Sequence, residues 1–288
     1  MKVIINADDL GLNHRVNEAI DLALTDSVIT SSTILANTNY WDEVLCIVKK
    51  HPHASFGIHL NLTEGKSLMN SPILKKYGLL DDRGFFLRGI HNIEINDELR
   101  AAIYEEWDQQ IRTVIEKGVS ITHFDGHHHV HTLYGLEFVL VKLGQKYGVN
   151  RTRNKYHKPF SIKNKIVGAG KPACKNMSTV KSKSENYSSS NKNKILKRFK
   201  NILGSYLKYV YWKSVLIRFG VKSPNYFDSY NMMCNHLENK IMFSSNAIVE
   251  LMCHPGHPSY LDEMELVKCK KINTYISNIE YISYKELV

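Results

Sequence analysis

The sequence has few cysteines and no long hydrophobic run, and each scarcity excludes a class of protein. Its five cysteines are scattered, odd in number and without CxxC spacing (Cys46, Cys174, Cys234, Cys253 and Cys269). Neither a disulfide framework nor a cysteine zinc site is therefore expected. No apolar stretch approaches the roughly 20 residues that span a bilayer. The first residues lead directly into a predicted strand with no cleavable signal evident, so we expect a cytoplasmic protein.

Acidic residues are almost absent from one quarter of the chain. Residues 151–222 contain 19 Lys and Arg against one acid, Glu185, within a chain of net charge +10. Residues 181–194 are too polar to pack and are predicted to form a mobile loop. Residues 195–212 have apolar side chains at helical spacing opposite a basic face. Such a helix is typical of an anionic-surface binder and equally of an ordinary barrel helix with a solvated lysine face.

The richest local cluster is THFDGHHHVH at residues 122–131. In an extended chain, alternate side chains would share one face: His123, Asp125, His127, His129 and His131. Imidazoles and carboxylates are the usual ligands of zinc and similar divalent ions. The segment therefore predicts a metal site at the end of a strand, rather than a histidine-rich surface loop.

Two adjacent acids, Asp8 and Asp9, follow the apolar run at residues 3–5. Neighbouring carboxylates that lose water repel each other unless a cation or a shared proton compensates. A metal would remove this conflict if one Asp bound it and the other stayed free as a base. The alternative, an N-cap for the helix beginning near Asn13, accounts for only one of the two acids.

Two further strand ends carry a histidine: His59 near the end of the strand at residues 55–60, and His254 after residues 247–252. Alone, each resembles a structural histidine. Together with the other clusters they suggest an α/β barrel, which places catalytic groups at the carboxyl ends of several strands. Cys253, next to His254, is predicted to be a buried strand residue rather than a nucleophile, because adjacent strand residues face opposite ways.

Strands and helices alternate along most of the chain. Strands are predicted at residues 2–7, 30–35, 55–60, 120–124, 149–152, 225–228, 247–252 and 281–284, and helices at 14–26, 41–50, 97–117 and 134–147. Repeated βα units predict a parallel sheet, and seven or eight predict a barrel. Residues 63–96 leave a strand end and could cover the pocket. We expect one domain over residues 1–288, with a basic insertion at about 151–222.

With these clusters assembled, the chain resembles the YdjC-like carbohydrate deacetylases, the family that includes chitooligosaccharide deacetylase. The matching segments are NADDLG at residues 6–11, GIHLNLT at 57–63, THFDGHHHVH at 122–131 and MCHPG at 252–256. The resemblance covers residues 1–150 and 225–288. It leaves out the basic segment between them.

The resemblance implies a distorted (β/α) TIM-like barrel with one divalent ion, Mg²⁺ or Zn²⁺, bound by Asp9, His59 and His127. It implies Asp8 as general base and His254 as the residue that protonates the leaving amine. A metal-bound water would then attack the acetamido carbonyl, whose oxygen the ion polarises. The expected activity is removal of acetyl groups from N-acetylated amino sugars or oligosaccharides, by hydrolysis of a linear amide C–N bond.

Several neighbouring side chains are assigned less specific roles. Asp125, His129 and His131 are predicted to contact substrate or to orient the metal ligands. Tyr226 and Trp212 are candidates for stacking on a sugar ring. The basic insertion is a candidate surface for an anionic glycan, a lipid-linked sugar or the inner face of the membrane, with nucleic acid less favoured. A homo-oligomer also stays open.

Two other functions compete with deacetylation. Clustered His and Asp also build phosphoesterase sites, which hold two or three metals. Metal count, and release of acetate rather than phosphate, would separate these enzymes. The third function is an anionic-surface binder that acts through residues 151–222 on a degenerate barrel. Intact ligands at every cluster argue against degeneration.

Overall fold

A parallel β-sheet forms the centre of the structure. The computed structural model describes residues 1–155, 203–204, 206–239 and 246–287. The strands are β1 (Lys2–Leu10), β2 (Ser31–Ile34), β3 (Ser55–Leu60), β4 (Phe124–Gly126), β5 (Tyr226–Ser229), β6 (Ile248–Cys253) and β7 (Glu280–Tyr281). Their order is β4-β3-β2-β1-β6-β5, and β7 pairs with the first residues of β1. Every one of these pairs is parallel, so the carboxyl ends of the strands lie at one edge.

Helices pack around this sheet. They are α1 (His14–Asp26), α2 (Trp41–Lys50), α3 (Pro72–Lys76), α4 (Asp97–Glu116), α5 (Glu137–Tyr147), α6 (residues 206–218), α7 (Tyr230–Glu238) and α8 (Leu261–Lys268). Asn13 begins α1 by accepting a hydrogen bond from the Val16 amide, so neither Asp8 nor Asp9 serves as its cap. Gly148, in the left-handed region, ends α5. Buried strands with helices over them explain the nearly continuous hydrophobic runs in the sequence.

The sheet curls into a half-barrel whose strand series continues beyond β4 through single bridges. Thr152 pairs with Phe124 of β4, and Arg151 pairs with Lys222 just before β5. The predicted α/β class and parallel sheet are confirmed. The predicted strand at residues 149–152 is present only as these bridges, and the strand predicted at 281–284 is β7 followed by a 3-10 turn at Tyr284–Glu286.

The basic segment is only partly within the described chain. Residues 156–202, which include the loop predicted at 181–194, lie outside the described residues. At its ends, Arg153 is fully buried, and Trp212 and Leu216 belong to the main hydrophobic core. These end residues are therefore part of the packed structure, and the boundaries of the insertion at 151–222 stay a prediction. The helix predicted to end at 212 continues to 218.

Residues 63–96 form an anchored excursion between β3 and α4. Glu106, fully buried on α4, accepts hydrogen bonds from the Ser67 hydroxyl and from the amides of Leu68 and Met69. A buried carboxylate with this many donors is well satisfied and fixes the local chain path. The excursion is thus held in place where it passes the carboxyl edge of the sheet.

Across the described ranges, every helix is too short or too polar to cross a bilayer.

Candidate functional site

The carboxyl ends of β1, β3, β4 and β6 meet at one cavity of about 450 Å³. Its walls include the predicted site residues Asp8, Asp9, His59, His127, His129 and His254. From Asp8 to His254, these residues span 246 positions of the sequence. The parallel sheet brings them together because each follows or ends a strand of the same direction.

Three of these side chains, Asp9, His59 and His127, lie within hydrogen-bonding distance of one another through the Asp9 carboxylate. Asp9 Oδ1 lies 3.2 Å from His59 Nε2 and 2.8 Å from His127 Nδ1. Ligand atoms of the three groups all lie within 4.8 Å of one another. Asp9 has a φ of 72°, an uncommon value for a residue other than glycine, and one that functional sites often hold.

The opposite side of the His59 ring is fixed by Asp125. Asp125 Oδ1 lies 2.6 Å from His59 Nδ1, and Thr33 Oγ1 donates to the other oxygen of the same carboxylate. This leaves His59 Nε2 turned towards Asp9. Burial lowers the pKa of His59, but the charge and hydrogen bond of Asp125 and the hydrogen bond of Asp9 raise it overall to about 10. The same negative field would favour a bound cation.

Asp8 points to a different partner. Arg153 donates to both of its oxygens, at 2.7 and 2.6 Å, and Asn6 Nδ2 donates to Oδ1 at 2.8 Å. Burial raises the pKa of Asp8, yet the guanidinium charge and hydrogen bonds of Arg153 hold it well below its usual range. The adjacent acids thus have separate environments, one beside two imidazoles and one beside a guanidinium.

Arg153 also compensates two further buried acids. Its Nη2 lies 3.0 Å from Asp125 Oδ2, and its Nε donates to Glu250 Oε1 at 2.8 Å. Glu250 in turn accepts from Tyr284 Oη, and burial raises its pKa to about 7. Because the guanidinium occupies the space between Asp8 and Asp125, it opposes a second metal on that pair.

Sequence reasoning missed Arg153 by counting it with the basic insertion. The available signal was its place just after the predicted strand at residues 149–152, at the edge where the other functional residues lie. A cation at that point of a parallel sheet faces the site rather than solvent.

His254 follows β6 and is held from behind by α8. Its backbone amide donates to Glu263 Oε2 at 2.7 Å, and its Nδ1 lies 3.6 Å from the same oxygen. Nε2 lies 4.0 Å from Asp8 Oδ2. Burial lowers the pKa of His254, but Glu263, Asp8 and Asp9 raise it overall. Glu263 had no sequence signal, since only packing of α8 brings it beneath the ring.

The histidine cluster does not form the extended row expected from the sequence. The strand is only Phe124–Gly126, and the following residues, His127–Thr132, make a 3-10 turn. His128 and His129 have φ values of 51° and 59°, which break the alternation. His123 is fully buried and stacks on Tyr284 with ring centroids 3.6 Å apart. The prediction of five side chains on one face is therefore wrong.

The remaining predicted residues divide between the cavity and its surroundings. His129 lines the cavity, whereas His131 is fully buried behind it, with its ring 6.4 Å from that of Trp212. Tyr226 begins β5 opposite Val249, at the amino end of the strands, and is not among the residues that line this cavity. Its predicted stacking role stays a prediction, and this cavity lies at the other end of the sheet. Cys253 is fully buried, as predicted.

The excursion supplies two residues that the sequence did not single out. Glu64 Oε2 lies 3.3 Å from His127 Nε2 and accepts a hydrogen bond from Arg88 at 2.7 Å. Hydrogen bonding to His127 lowers the pKa of Glu64, with Arg88 adding to the effect, to about 2 although burial opposes it. Both side chains line the cavity, so the expectation that residues 63–96 cover the pocket is confirmed.

Comparison with known proteins agrees with the resemblance seen in the sequence. The model of the family described as "YdjC-like protein" matches residues 2–284. Relatives named carbohydrate deacetylase are 35% identical in Brevibacillus brevis over 52% of this chain and 58% of theirs, 34% in Thermoanaerobacter pseudethanolicus over 51% and 58%, and 32% in Vibrio cholerae over 52% and 57%. The matched region thus spans somewhat more than half the length of these relatives.

A solved structure extends the likeness to the whole fold. It is that of a proposed cellobiose-phosphate cleavage protein from Enterococcus faecalis V583, with a TM-score of 0.66 and 22% identity. It covers 100% of this chain and 98% of its own. At this identity the likeness shows the fold alone.

Proposed function

The chain belongs to the YdjC-like family, and on this premise we propose that it is a metal-dependent hydrolase that removes acetyl groups from N-acetylated amino sugars. One observation carries the proposal. A three-residue metal-binding group shares its cavity with an ionised carboxylate, Asp8, and with His254, whose raised pKa favours the protonated ring, 4.0 Å away. Amide hydrolysis requires a proton acceptor and a proton donor at one point.

Asp9, His59 and His127 would hold the metal. The fit is good because two imidazole nitrogens converge on one carboxylate oxygen and Asp125 orients one of the rings. Two nitrogen ligands and one oxygen favour Zn²⁺ over Mg²⁺, which prefers oxygen ligands. When bound, such an ion polarises the acetyl carbonyl and lowers the pKa of a bound water.

Asp8 would act as the general base. Arg153 and Asn6 fix its carboxylate, and the charge of Arg153 keeps it ionised. It can therefore accept the proton of the attacking water without moving. The strong pairing makes Asp8 a weak base in equilibrium terms, so its contribution rests on position more than on proton affinity.

His254 would protonate the departing nitrogen. Glu263 accepts from its backbone amide and raises the pKa of its ring, which favours the charged, proton-donating form near neutral pH. Tyr260 stacks on the ring with centroids 4.5 Å apart and limits its orientation. An amine is a poor leaving group without this proton, so the donor is essential for an amide substrate.

We also infer that the half-barrel sheet is a distorted TIM-like barrel. The bridges from Phe124 to Thr152 and from Arg151 to Lys222 support this, because residue 222 lies just before β5 at the other end of the strand series. The position of the cavity at the carboxyl ends of the strands is typical of that architecture.

The direct test is acetate release. Protein loaded with Zn²⁺ or Mg²⁺ is incubated with N-acetylated amino sugars, as methyl glycosides and as oligosaccharides, and acetate and free amine are measured together. Equal amounts of both products are expected, with Asp8→Asn as the matched inactive control. Phosphate release from sugar phosphates with two bound metals per chain, and no acetate, would instead support a phosphoesterase.

A further inference from the structure

A second cavity, of about 380 Å³, lies beside the catalytic cavity. Its volume is within the range of ligand-binding pockets. Its lining includes four aliphatic side chains and three aromatic ones: Ile90, Ile93, Ile95, Leu133, Tyr134, Tyr211 and Trp212. None of these residues takes part in the mechanism proposed above.

The two cavities share two stretches of chain. Arg88 lines the catalytic cavity and Ile90, two residues later, lines the second. On the other wall, His129 lines the catalytic cavity and Thr132 lines the second. The first pair is two residues apart and the second is three, and such lengths of chain span at most about 7 Å and 11 Å, so the walls of the two cavities lie close together.

The polar groups of the second cavity either form hydrogen bonds within the protein or lie at the rim of the cavity. Glu137 is buried, and its two oxygens accept from the Gly135 amide and the Tyr211 hydroxyl. His91, Glu94 and Lys208 are exposed. A further sugar unit would need several convergent donors and acceptors inside the cavity, whereas an apolar group needs only the aliphatic surface.

The apolar surface continues outward along α6. Leu207 lies one helical turn before Tyr211, and Val210 lies next to it; both are exposed, at 58% and 44%. Tyr134, which is 81% exposed, packs its ring 5.7 Å from that of Tyr211. An occupant longer than the cavity would therefore meet more apolar surface at the mouth instead of water.

We propose that the second cavity binds a hydrophobic aglycone, an alkyl or isoprenoid chain attached to the acetylated sugar. The sugar occupies the catalytic cavity, and the chain crosses the shared walls into the apolar one. The inference rests on the proposed function, and it deepens that function by naming the substrate class as an amphiphilic glycoside.

The first experiment compares one acetylated amino sugar on different aglycones. The methyl, octyl and geranyl glycosides and the matching disaccharide are assayed below the micelle concentration. The kcat/KM of the octyl or geranyl glycoside should exceed that of the methyl glycoside by about tenfold or more, since burial of a few methylene groups is enough for that factor. Equal values for alkyl and methyl glycosides, or a gain for the disaccharide alone, would overturn the proposal.

A charge placed in the apolar wall sharpens the test. Ile93→Asp should reduce the octyl-to-methyl ratio of kcat/KM by about tenfold, because burial of the chain would then leave a carboxylate without water. The matched control is Leu22→Asp, a half-exposed residue on α1 outside both cavities. It should keep the wild-type ratio. An equal fall for both glycosides in Ile93→Asp would overturn the assignment.

Binding can be measured without catalysis. Trp212 is part of the cavity wall, so octyl glucoside, which has no acetyl group, should change the tryptophan fluorescence at concentrations where methyl glucoside does not. Trp212→Phe should remove most of that change. If octyl glucoside binds but no glycoside releases acetate, the proposed deacetylase function is refuted and the proposed apolar site is supported. If acetate is released but alkyl glycosides neither bind nor react faster than methyl glycosides, only the apolar site is refuted.

Discussion

The catalytic cavity and the apolar cavity share two walls but are built on opposite principles. In the first, most wall residues are charged or polar and several have a fixed partner, as Asp8 has in Arg153 and Glu64 in Arg88. In the second, aliphatic side chains form the surface and the exposed polar groups stand at the rim. Buried charges are costly unless each is compensated, whereas an apolar surface needs only shape. The comparison predicts that substitutions in the catalytic cavity reduce activity or stability more than substitutions in the apolar cavity do.

The largest effect is expected from the metal-binding group. Asp9→Asn should remove the metal and abolish acetate release, because a neutral amide is a poor ligand and leaves two imidazoles facing each other. Metal content and activity are measured after dialysis with and without chelator. Full activity in metal-free wild-type protein would contradict the metal dependence.

The next largest effect is expected at the neighbouring acid. Asp8→Asn should keep its metal but lose roughly 10²- to 10⁴-fold in kcat, the usual range for a general base. Metal content and kcat measured on the same preparations separate the two acids. Equal loss of metal in the two variants would contradict their different roles.

Substitution of Arg153 tests whether the catalytic cavity depends on a positive charge that neutralises its buried acids. Arg153→Met would leave three buried acids without their shared cation, so unfolding free energy should fall by about 3–5 kcal/mol, measured by urea denaturation. Arg112→Met removes a half-exposed guanidinium from Asp108, which keeps its ion pair with Lys146; it is the control and should cost about 1 kcal/mol or less.

If Arg153→Met does not fold, Arg153→Lys gives the same comparison. Lysine keeps the charge but not the bidentate pairing, so the variant should fold with a clear loss of stability. A cost no larger than that of Arg112→Met would show that the buried acids are not held by Arg153.

One substitution applied to each cavity tests the comparison directly. Glu64→Gln should reduce kcat/KM for a small acetylated sugar about tenfold, because a charged hydrogen bond to His127 and Arg88 is weakened. Glu94→Gln, at the exposed rim of the apolar cavity, should change it by about threefold at most. Similar effects of the two variants would contradict the contrast between the cavities.

The smallest expected effect is a shift in pH dependence. Glu263 raises the pKa of His254, and the protonated ring is the proposed proton donor, so activity should fall as pH rises through that pKa. Glu263→Gln removes this charge and should move the alkaline limb of kcat/KM to lower pH. Glu265→Gln, exposed on the same helix, is the control and should leave the profile unchanged. An unmoved alkaline limb in Glu263→Gln would refute the role of Glu263.

The elements that the sequence predicted correctly are those with local patterns. The bounds of α1, α2 and β3 agree with the periodicity and punctuation of the chain. The clusters around Asp8, His59 and His254 were recognisable because polar residues directly follow buried strands. The bounds of β4 and the geometry of the histidine turn were missed, because left-handed backbone at two histidines leaves no signature in residue type.

By itself, the sequence determined the fold class and the edge of the sheet where the candidate site residues meet, because strand periodicity and strand ends are local properties of the chain. The three residues proposed to hold a metal, Asp9, His59 and His127, followed from the resemblance to a known family. Only the tertiary structure decided which charges compensate one another. Arg153, Glu263, Glu64 and Arg88 reach the site from distant or irregular segments, and of the four only Arg153 has a sequence signal, its place just after a predicted strand. The energy of a buried charge depends on which groups surround it in space, and that is fixed only when the whole chain has packed.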